Sequence, residues 1–78
     1  MDLQQAIKIR IIKLCNSKNI TINKLSTLSG INQSTANSLV DGSSKNPKLL
    51  TIIRICFGLN MSLKDFFDDP IFDEIDDE

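Results

Sequence analysis

The stretch from Thr21 to Gly42, TINKLSTLSGINQSTANSLVDG, decides the fold, because it is typical of two short helices joined by a tight turn. Thr21 suits the N-cap of the first helix, since its side-chain oxygen can accept from a backbone N–H one turn further on. Leu25 and Leu28 give this helix an inward edge. Gly30 can end it abruptly, because glycine adopts a positive φ angle without a steric penalty.

The second helix of this stretch has an apolar side and a polar side. Asn32 caps its start, and its apolar residues Ala36, Leu39 and Val40 recur at i, i+3 and i+4, which places them on one face. The opposite face consists of small uncharged hydrogen-bonding residues: Gln33, Ser34, Thr35, Asn37 and Ser38. Two such helices around a glycine turn are the pattern of a helix-turn-helix.

Length and composition limit the chain to one small domain. It has 78 residues, of which 41% are hydrophobic and only four are aromatic, so an aliphatic core is expected. No apolar run reaches the length of a membrane span and charges interrupt the N-terminal apolar stretches, so neither a transmembrane helix nor a signal peptide is predicted. We expect a cytoplasmic protein in which Cys15 and Cys56 are reduced and buried, an interpretation favoured over a redox switch between them.

The net charge of −1 conceals a strong asymmetry along the chain. Residues 1–64 hold all nine Lys and Arg and only Asp2 and Asp41 as acids, which gives +7. Residues 65–78 hold eight acids and no base, which gives −8. The sequence is thus a basic body with an acidic appendage, and the body can attract a polyanion such as nucleic acid.

The rest of the chain predicts three further helices and no sheet, because no segment alternates with period two. These helices cover residues 2–18, 47–59 and 63–68. Asp2 and Ser62 suit two of the N-caps, and Pro47 opens the remaining helix, where its missing N–H costs nothing. Predicted core residues on these helices are Leu3, Ile7, Ile11, Leu14, Leu49, Leu50, Ile52, Ile53, Cys56, Phe57, Leu63, Phe66 and Phe67. The prediction is an all-α domain of five helices over residues 1–68, followed by an acidic C-terminal tail over residues 69–78.

With these elements placed, the chain resembles the Cro/repressor-type helix-turn-helix family, which includes the phage repressors. The residues that carry the resemblance are Leu25, Gly30, Ile31, Ala36, Leu39, Gly42, Pro47 and the run Leu59-Asn60-Met61-Ser62-Leu63. The resemblance implies a compact five-helix, lambda-repressor-like domain that binds double-stranded DNA, usually as a homodimer on a partly palindromic operator. It also implies a transcriptional regulator, most often a repressor.

Three departures from the family pattern stand out. Ser26 and Ser29 occupy positions that are usually apolar, which softens the interior slightly. Many members bury an Arg near the end of helix 1 against a Glu near the end of the recognition helix, and the matching residues here are Cys15 and Val40. Because both halves of that ion pair are apolar, no buried charge is left unpaired. We expect the side chains of Cys15 and Val40 to touch in the core.

The family pattern places the second helix of the motif in the major groove of DNA. Its base-reading positions correspond to Gln33, Ser34 and Ser38, with Thr35 and Asn37 beside them. Gln33 can bind adenine through N6 and N7, whereas the absence of Arg and Lys from this helix removes the strong bidentate contact to guanine. Predicted phosphate contacts come from the two helix starts and the following loop: Thr21, Asn23, Asn32, Ser43, Lys45, Asn46 and Lys48.

Other functions have less support in the sequence. The chain lacks His and Tyr and has no metal-ligand cluster, cofactor motif or phosphate loop, so we expect neither an enzyme nor a bound metal. The acids of residues 68–78 lack the spacing of a calcium loop and are expected to be solvated. The alternative function is a helix-turn-helix reused for protein interaction through the acidic tail. Ile71, Phe72 and Ile75 either dock within the chain or meet a second subunit.

Overall fold

Five α-helices and a C-terminal 3₁₀ helix make up the structure, a computed structural model that describes residues 1–76. The α-helices are α1 (Leu3–Lys18), α2 (Ile22–Ser29), α3 (Gln33–Asp41), α4 (Leu49–Gly58) and α5 (Leu63–Phe67), and the 3₁₀ helix is Pro70–Glu74. No β-strand occurs within these residues. The all-α, five-helix prediction is therefore confirmed.

Local capping explains where four of the helices begin. The side chains of Asp2, Thr21, Asn32 and Ser62 each accept a hydrogen bond from the backbone N–H three residues later. Gly30 ends α2 at a φ of 68° and Gly42 ends α3 at 86°, values that favour glycine. The lengths of α2 and α3, which form the helix-turn-helix, are therefore determined by capping residues within the motif itself.

The start of α4 differs from its prediction by two residues. Pro47 precedes the helix instead of opening it, and Lys48 occupies the N-cap in an extended conformation without a side-chain cap. The carbonyl of Lys48 accepts from the N–H groups of Thr51 and Ile52, so the first helical turn closes there. The Ser43–Lys48 connection is consequently longer by two residues than the sequence suggested.

An aliphatic core lies between the helices and contains both cysteines. Its buried members are Ile7, Ile11, Leu14, Cys15, Leu25, Leu39, Ile52, Ile55, Cys56, Leu59 and Phe66. Burial raises the pKa of both thiols, which lowers their reactivity, and the prediction that both are buried is confirmed. Val40 packs against this same cluster, whereas its direct contact with Cys15 stays a prediction.

Several apolar residues expected in the core lie instead at the surface. They are Leu3, Leu28, Leu49, Leu50, Phe57 and Phe67. The error is largest on α4, because its apolar residues spread around most of the helix and periodicity alone does not reveal which side faces the core. The buried side of α4 is formed by Ile52, Ile55 and Cys56, and Phe57 points away from it.

The acidic segment after α5 docks on α1, and Asp69 is its anchor. One carboxylate oxygen of Asp69 binds the Arg10 guanidinium at 3.1 Å and the Lys13 ammonium at 2.9 Å, while the other accepts from the Ile71 N–H at 2.8 Å. The Ile71 N–H and the Lys13 ammonium hold the pKa of Asp69 below its usual value. Phe72 packs on the ring of Phe67, with the ring centroids 4.9 Å apart.

Arg10 joins α1, α5 and the acidic segment in one network. Besides its bond to Asp69, its guanidinium donates to the carbonyls of Asp65 and Phe66 at 2.9 and 2.7 Å, at the C-terminal end of α5. At the other end of the segment, the Asp76 N–H donates to the Met1 carbonyl at 2.9 Å. The alternative of docking within the chain is thus observed for residues 69–76, whereas residues 77–78 lie outside the described residues.

Candidate nucleic-acid interface

The first turns of α2 and α3, both part of the predicted interface, have backbone N–H groups available to bind a ligand. Thr21 accepts from the Lys24 N–H at 3.1 Å, and Asn32 accepts from the Thr35 N–H at 2.7 Å, so each cap uses its side-chain oxygen to hold its own helix. The N–H groups of the intervening residues have no intrahelical acceptor and lie at the positive end of the helix dipole. Thr21 and Asn23 are exposed at the start of α2.

The predicted base-reading residues occupy the outward face of α3. Gln33, Ser34 and Asn37 are exposed, and Thr35 and Ser38 are half-buried. The Gln33 side-chain amide donates to the Asn37 side-chain oxygen at 3.0 Å, one helical turn away. This bond orients the Gln33 side chain but leaves its carbonyl oxygen and its second N–H unused. These two groups form the donor–acceptor pair that complements adenine.

An open groove of about 660 Å³ separates α3 from the loop after it and from α4. Ser34, Thr35 and Ser38 line the α3 side. The remaining predicted residues on its walls are Asn32, Ser43, Asn46 and Lys48. The structure therefore brings seven of the predicted site residues around one groove. Gln33 and Asn37 lie outside it on the adjoining exposed face, and Thr21, Asn23 and Lys45 are not part of its lining.

The loop that forms the far wall is attached to α3 and α1 by hydrogen bonds. The Ser44 N–H donates to the Ser38 carbonyl at 3.2 Å, and the Gln4 side-chain amide donates to the Gly42 carbonyl at 2.9 Å. The hydroxyl of Ser43 donates to the Asp41 carboxylate, with an oxygen–oxygen distance of 2.6 Å, and lowers the pKa of that group. Ser43 must therefore exchange its partner before its hydroxyl can bind a phosphate.

Two residues of α4 that were not predicted as site residues also line the groove. Thr51 and Arg54 are three residues apart on α4, which makes them neighbours on the helix surface, and both line the groove. Arg54 gives the groove a second cation beside Lys48. The i, i+3 spacing of Thr51 and Arg54 was a signal in the sequence, but its use requires the position of α4 relative to α3, which the sequence does not give.

The acidic segment lies away from this groove. None of the groove-lining residues belongs to the range 65–76, and Asp69 is held against α1 by Arg10 and Lys13. Within the described residues, no group of three His, Cys, Asp or Glu side chains is arranged to hold a metal ion. No helix among residues 1–76 is long and apolar enough to cross a membrane.

The geometry of α2 and α3 defines the class: a helix-turn-helix whose second helix presents an exposed polar face beside a cationic groove. A family model for the Cro/C1-type HTH DNA-binding domain matches residues 10–70. The chain belongs to this family. The resemblance inferred from the sequence is confirmed.

A solved structure supports the same assignment. The chain is similar to the prophage Lp1 protein 11, whose crystal structure aligns with a TM-score of 0.82 at 38% sequence identity. The alignment covers 96% of this chain and 100% of that one. No match was found among curated proteins. The family and this likeness together indicate a DNA-binding regulator.

Proposed function

We propose that this protein is a sequence-specific, cytoplasmic transcriptional repressor that binds double-stranded DNA as a homodimer. The single observation that carries the proposal is the exposed, uncharged polar face of α3 beside a groove that contains Lys48 and Arg54. A surface of this kind offers hydrogen bonds to base edges and cations to the adjacent phosphates, which are the two components of specific DNA recognition.

The bases would be read by the N-terminal half of α3. Gln33, oriented by Asn37, would bind adenine through N6 and N7, and the hydroxyls of Ser34 and Ser38 would bind donor or acceptor edges. Thr35, half-buried at the groove, would contact a base or a thymine methyl at its margin. Because no guanidinium lies on α3, we expect sites rich in A·T pairs in each half of the operator.

The sugar-phosphate backbone would be held on both sides of α3. On one side, the start of α2 offers Thr21 and Asn23, and on the other the loop and α4 offer Lys45, Lys48 and Arg54. Asn32, Ser43 and Asn46 would add neutral donors close to the groove. The acidic carboxylate of Asp41 lies at the negative end of α3, so phosphates would favour the opposite, N-terminal end.

The test begins with selection of binding sites from random double-stranded DNA, followed by fluorescence-anisotropy titration of the selected site. Gln33→Ala should weaken binding about tenfold or more and remove the base preference at one position of each half-site. Gln5→Ala changes an equally exposed glutamine of α1 and should leave both unchanged. The proposal fails if no sequence is enriched, or if binding does not weaken as salt is raised.

The alternative function, protein interaction through the acidic tail, makes a different prediction for a chain without residues 69–78. If the tail masks the basic body, truncation should tighten DNA binding; if the tail joins two subunits, truncation should give monomers. The observed contacts of Asp69 with Arg10 and Lys13 favour a third result, in which truncation lowers stability and leaves the affinity of the folded protein for DNA little changed.

A further inference from the structure

Part of the outward side of α4, beside the groove-lining Arg54, is apolar from the first turn of the helix to the last. Phe57 is 78% exposed, Leu49 57% and Leu50 55%, although a surface helix normally turns polar residues toward solvent. Ile53 lies between them and is half-buried. We call this set, Leu49, Leu50, Ile53 and Phe57, the α4 ridge. Among residues 1–76, nothing covers Phe57, whereas the opposite side of the same helix is fully buried.

We propose that the α4 ridge is the surface through which two copies of this chain associate. The inference rests on the proposed function, which requires two copies related by a two-fold axis so that two α3 helices reach two half-sites. The ridge fits a second copy because it is self-complementary. Leu50 and Phe57 are seven residues apart and so lie on the same side of α4. An antiparallel contact therefore places Phe57 of each copy on Leu50 of the other, with Ile53 near the axis.

The area of the ridge agrees with a weak dimer. The exposed part of Phe57 amounts to roughly 150 Å², and the leucines and Ile53 raise the apolar area of each copy to roughly 300 Å². Since interfaces are a little more than half apolar, this corresponds to roughly 500–600 Å² per partner. Such a contact lies at the lower limit of specific interfaces, so we expect a dissociation constant on the order of micromolar and completion of the dimer on DNA.

The position of the ridge next to the groove also favours this partner. Leu50 belongs to the ridge and lines the groove, and Arg54 lines the groove one residue from Ile53. A two-fold axis through the ridge thus brings the grooves of both copies close to the same axis, as binding to one stretch of DNA requires.

The experiment compares three proteins by sedimentation equilibrium, free and on selected DNA with one or two half-sites. Phe57→Glu adds charge to the ridge, and Leu3→Glu is the control, because Leu3 is 48% exposed but lies on α1. Phe57→Glu should weaken dimerisation at least about 30-fold and abolish cooperativity between half-sites, since a central aromatic residue carries much of the binding energy. Leu3→Glu should behave as the wild type, and circular-dichroism melts of both variants should show that each folds.

The outcomes separate this inference from the proposed function. If the wild type stays monomeric both free and on two half-sites, or if Phe57→Glu dimerises as well as the wild type, the ridge is not the interface, even when the DNA binds specifically. If no DNA sequence is bound but Phe57→Glu abolishes the dimer, the interface stands and the DNA-binding proposal fails. Loss of cooperativity only in Phe57→Glu supports both.

Discussion

The crossing of α2 and α4 depends on Gly58, and this gives a sharp test of the packing. A Cβ atom at Gly58 would lie 2.5 Å from the hydroxyl oxygen of Ser29 and 2.9 Å from the carbonyl carbon and oxygen of Leu28. Distances below 3.0 Å essentially never occur for real Cβ atoms, so a substitution must push the helices apart. Ser29 is itself buried, and its small side chain is what allows this approach.

We predict that Gly58→Ala destabilises the protein, although replacing glycine with alanine in a helix usually stabilises it. In a helix interior, replacing Gly with Ala normally stabilises by about 1 kcal/mol, and at Gly58, the last residue of α4, the gain is at most about that much. Here overpacking should cost about 3 kcal/mol, near the upper end of the usual range, because the obstacle is backbone and cannot turn aside. The net loss of about 2 kcal/mol or more should lower the Tm by at least about 8 °C in a domain of this size.

Urea unfolding followed by circular dichroism measures this loss, and two controls locate its cause. Gly42→Ala has nothing within 4 Å of its new Cβ but a φ of 86°, so it should lose about 1 kcal/mol through backbone strain alone. Ser29→Ala removes a buried hydroxyl that has no hydrogen-bond partner among the described residues. It should stabilise Gly58→Ala more than it stabilises Gly42→Ala or the wild type, because only in Gly58→Ala does it also relieve the contact with the new Cβ atom. A Gly58→Ala variant at least as stable as the wild type would refute the reasoning.

Three further predictions concern the acidic segment and a helix cap. Asp69→Asn should lower the Tm, because Arg10 and Lys13 lose the carboxylate that joins α1 to this segment. Since the pKa of Asp69 is lowered by folding, its contribution is present above the unfolded value of 3.8 and is lost as the pH falls through the folded pKa. The difference in unfolding free energy between wild type and Asp69→Asn should therefore be constant near neutral pH and shrink below pH 3.8, as acid titration of both proteins can show. Asn32→Ala removes the acceptor of the Thr35 N–H and should cost about 1 kcal/mol in urea unfolding, whereas an unchanged midpoint would mean that the cap contributes nothing.

The elements that the sequence predicted well are those fixed by local chemistry. Thr21, Asn32 and Ser62 cap their helices as expected, because a capping side chain bonds to a backbone group only three residues away. Gly30 and Gly42 end α2 and α3 for an equally local reason, their positive φ angles. The outline of the helix-turn-helix, and with it the face of α3, follows from these residues alone.

The elements that it predicted poorly depend on contacts between distant segments. Phe57 was expected in the core because apolar residues spread around most of α4, and only its packing against α2 and α5 determines which side is buried. Ser29 was interpreted as a slight weakness of the interior, whereas it lies where α4 approaches α2 at Gly58. Arg54 lies exposed on α4, but the groove it lines is formed with α3 and the loop before α4, which the sequence does not place.

The distribution of charge connects the docked segment to the proposed DNA binding. Asp69 pairs with both Arg10 and Lys13 on α1, whereas Lys48 and Arg54 line the groove. Part of the positive charge of residues 1–64 therefore lies beside α3, although the whole chain carries a net charge of −1.

With Lys45 as a third cation in the loop, each bound subunit should neutralise about three phosphates, so the logarithm of the binding constant should fall with log salt at a slope of about −3 per subunit. Lys48→Ala and Arg54→Ala should each reduce that slope by about one, because each removes one phosphate contact. Lys13→Ala should leave it unchanged, since Lys13 is paired with Asp69. Anisotropy titrations across a range of salt concentrations measure all three. If Lys13→Ala reduced the salt slope as much as Lys48→Ala does, DNA would also contact α1, and the assignment of the phosphate contacts to the groove would be wrong.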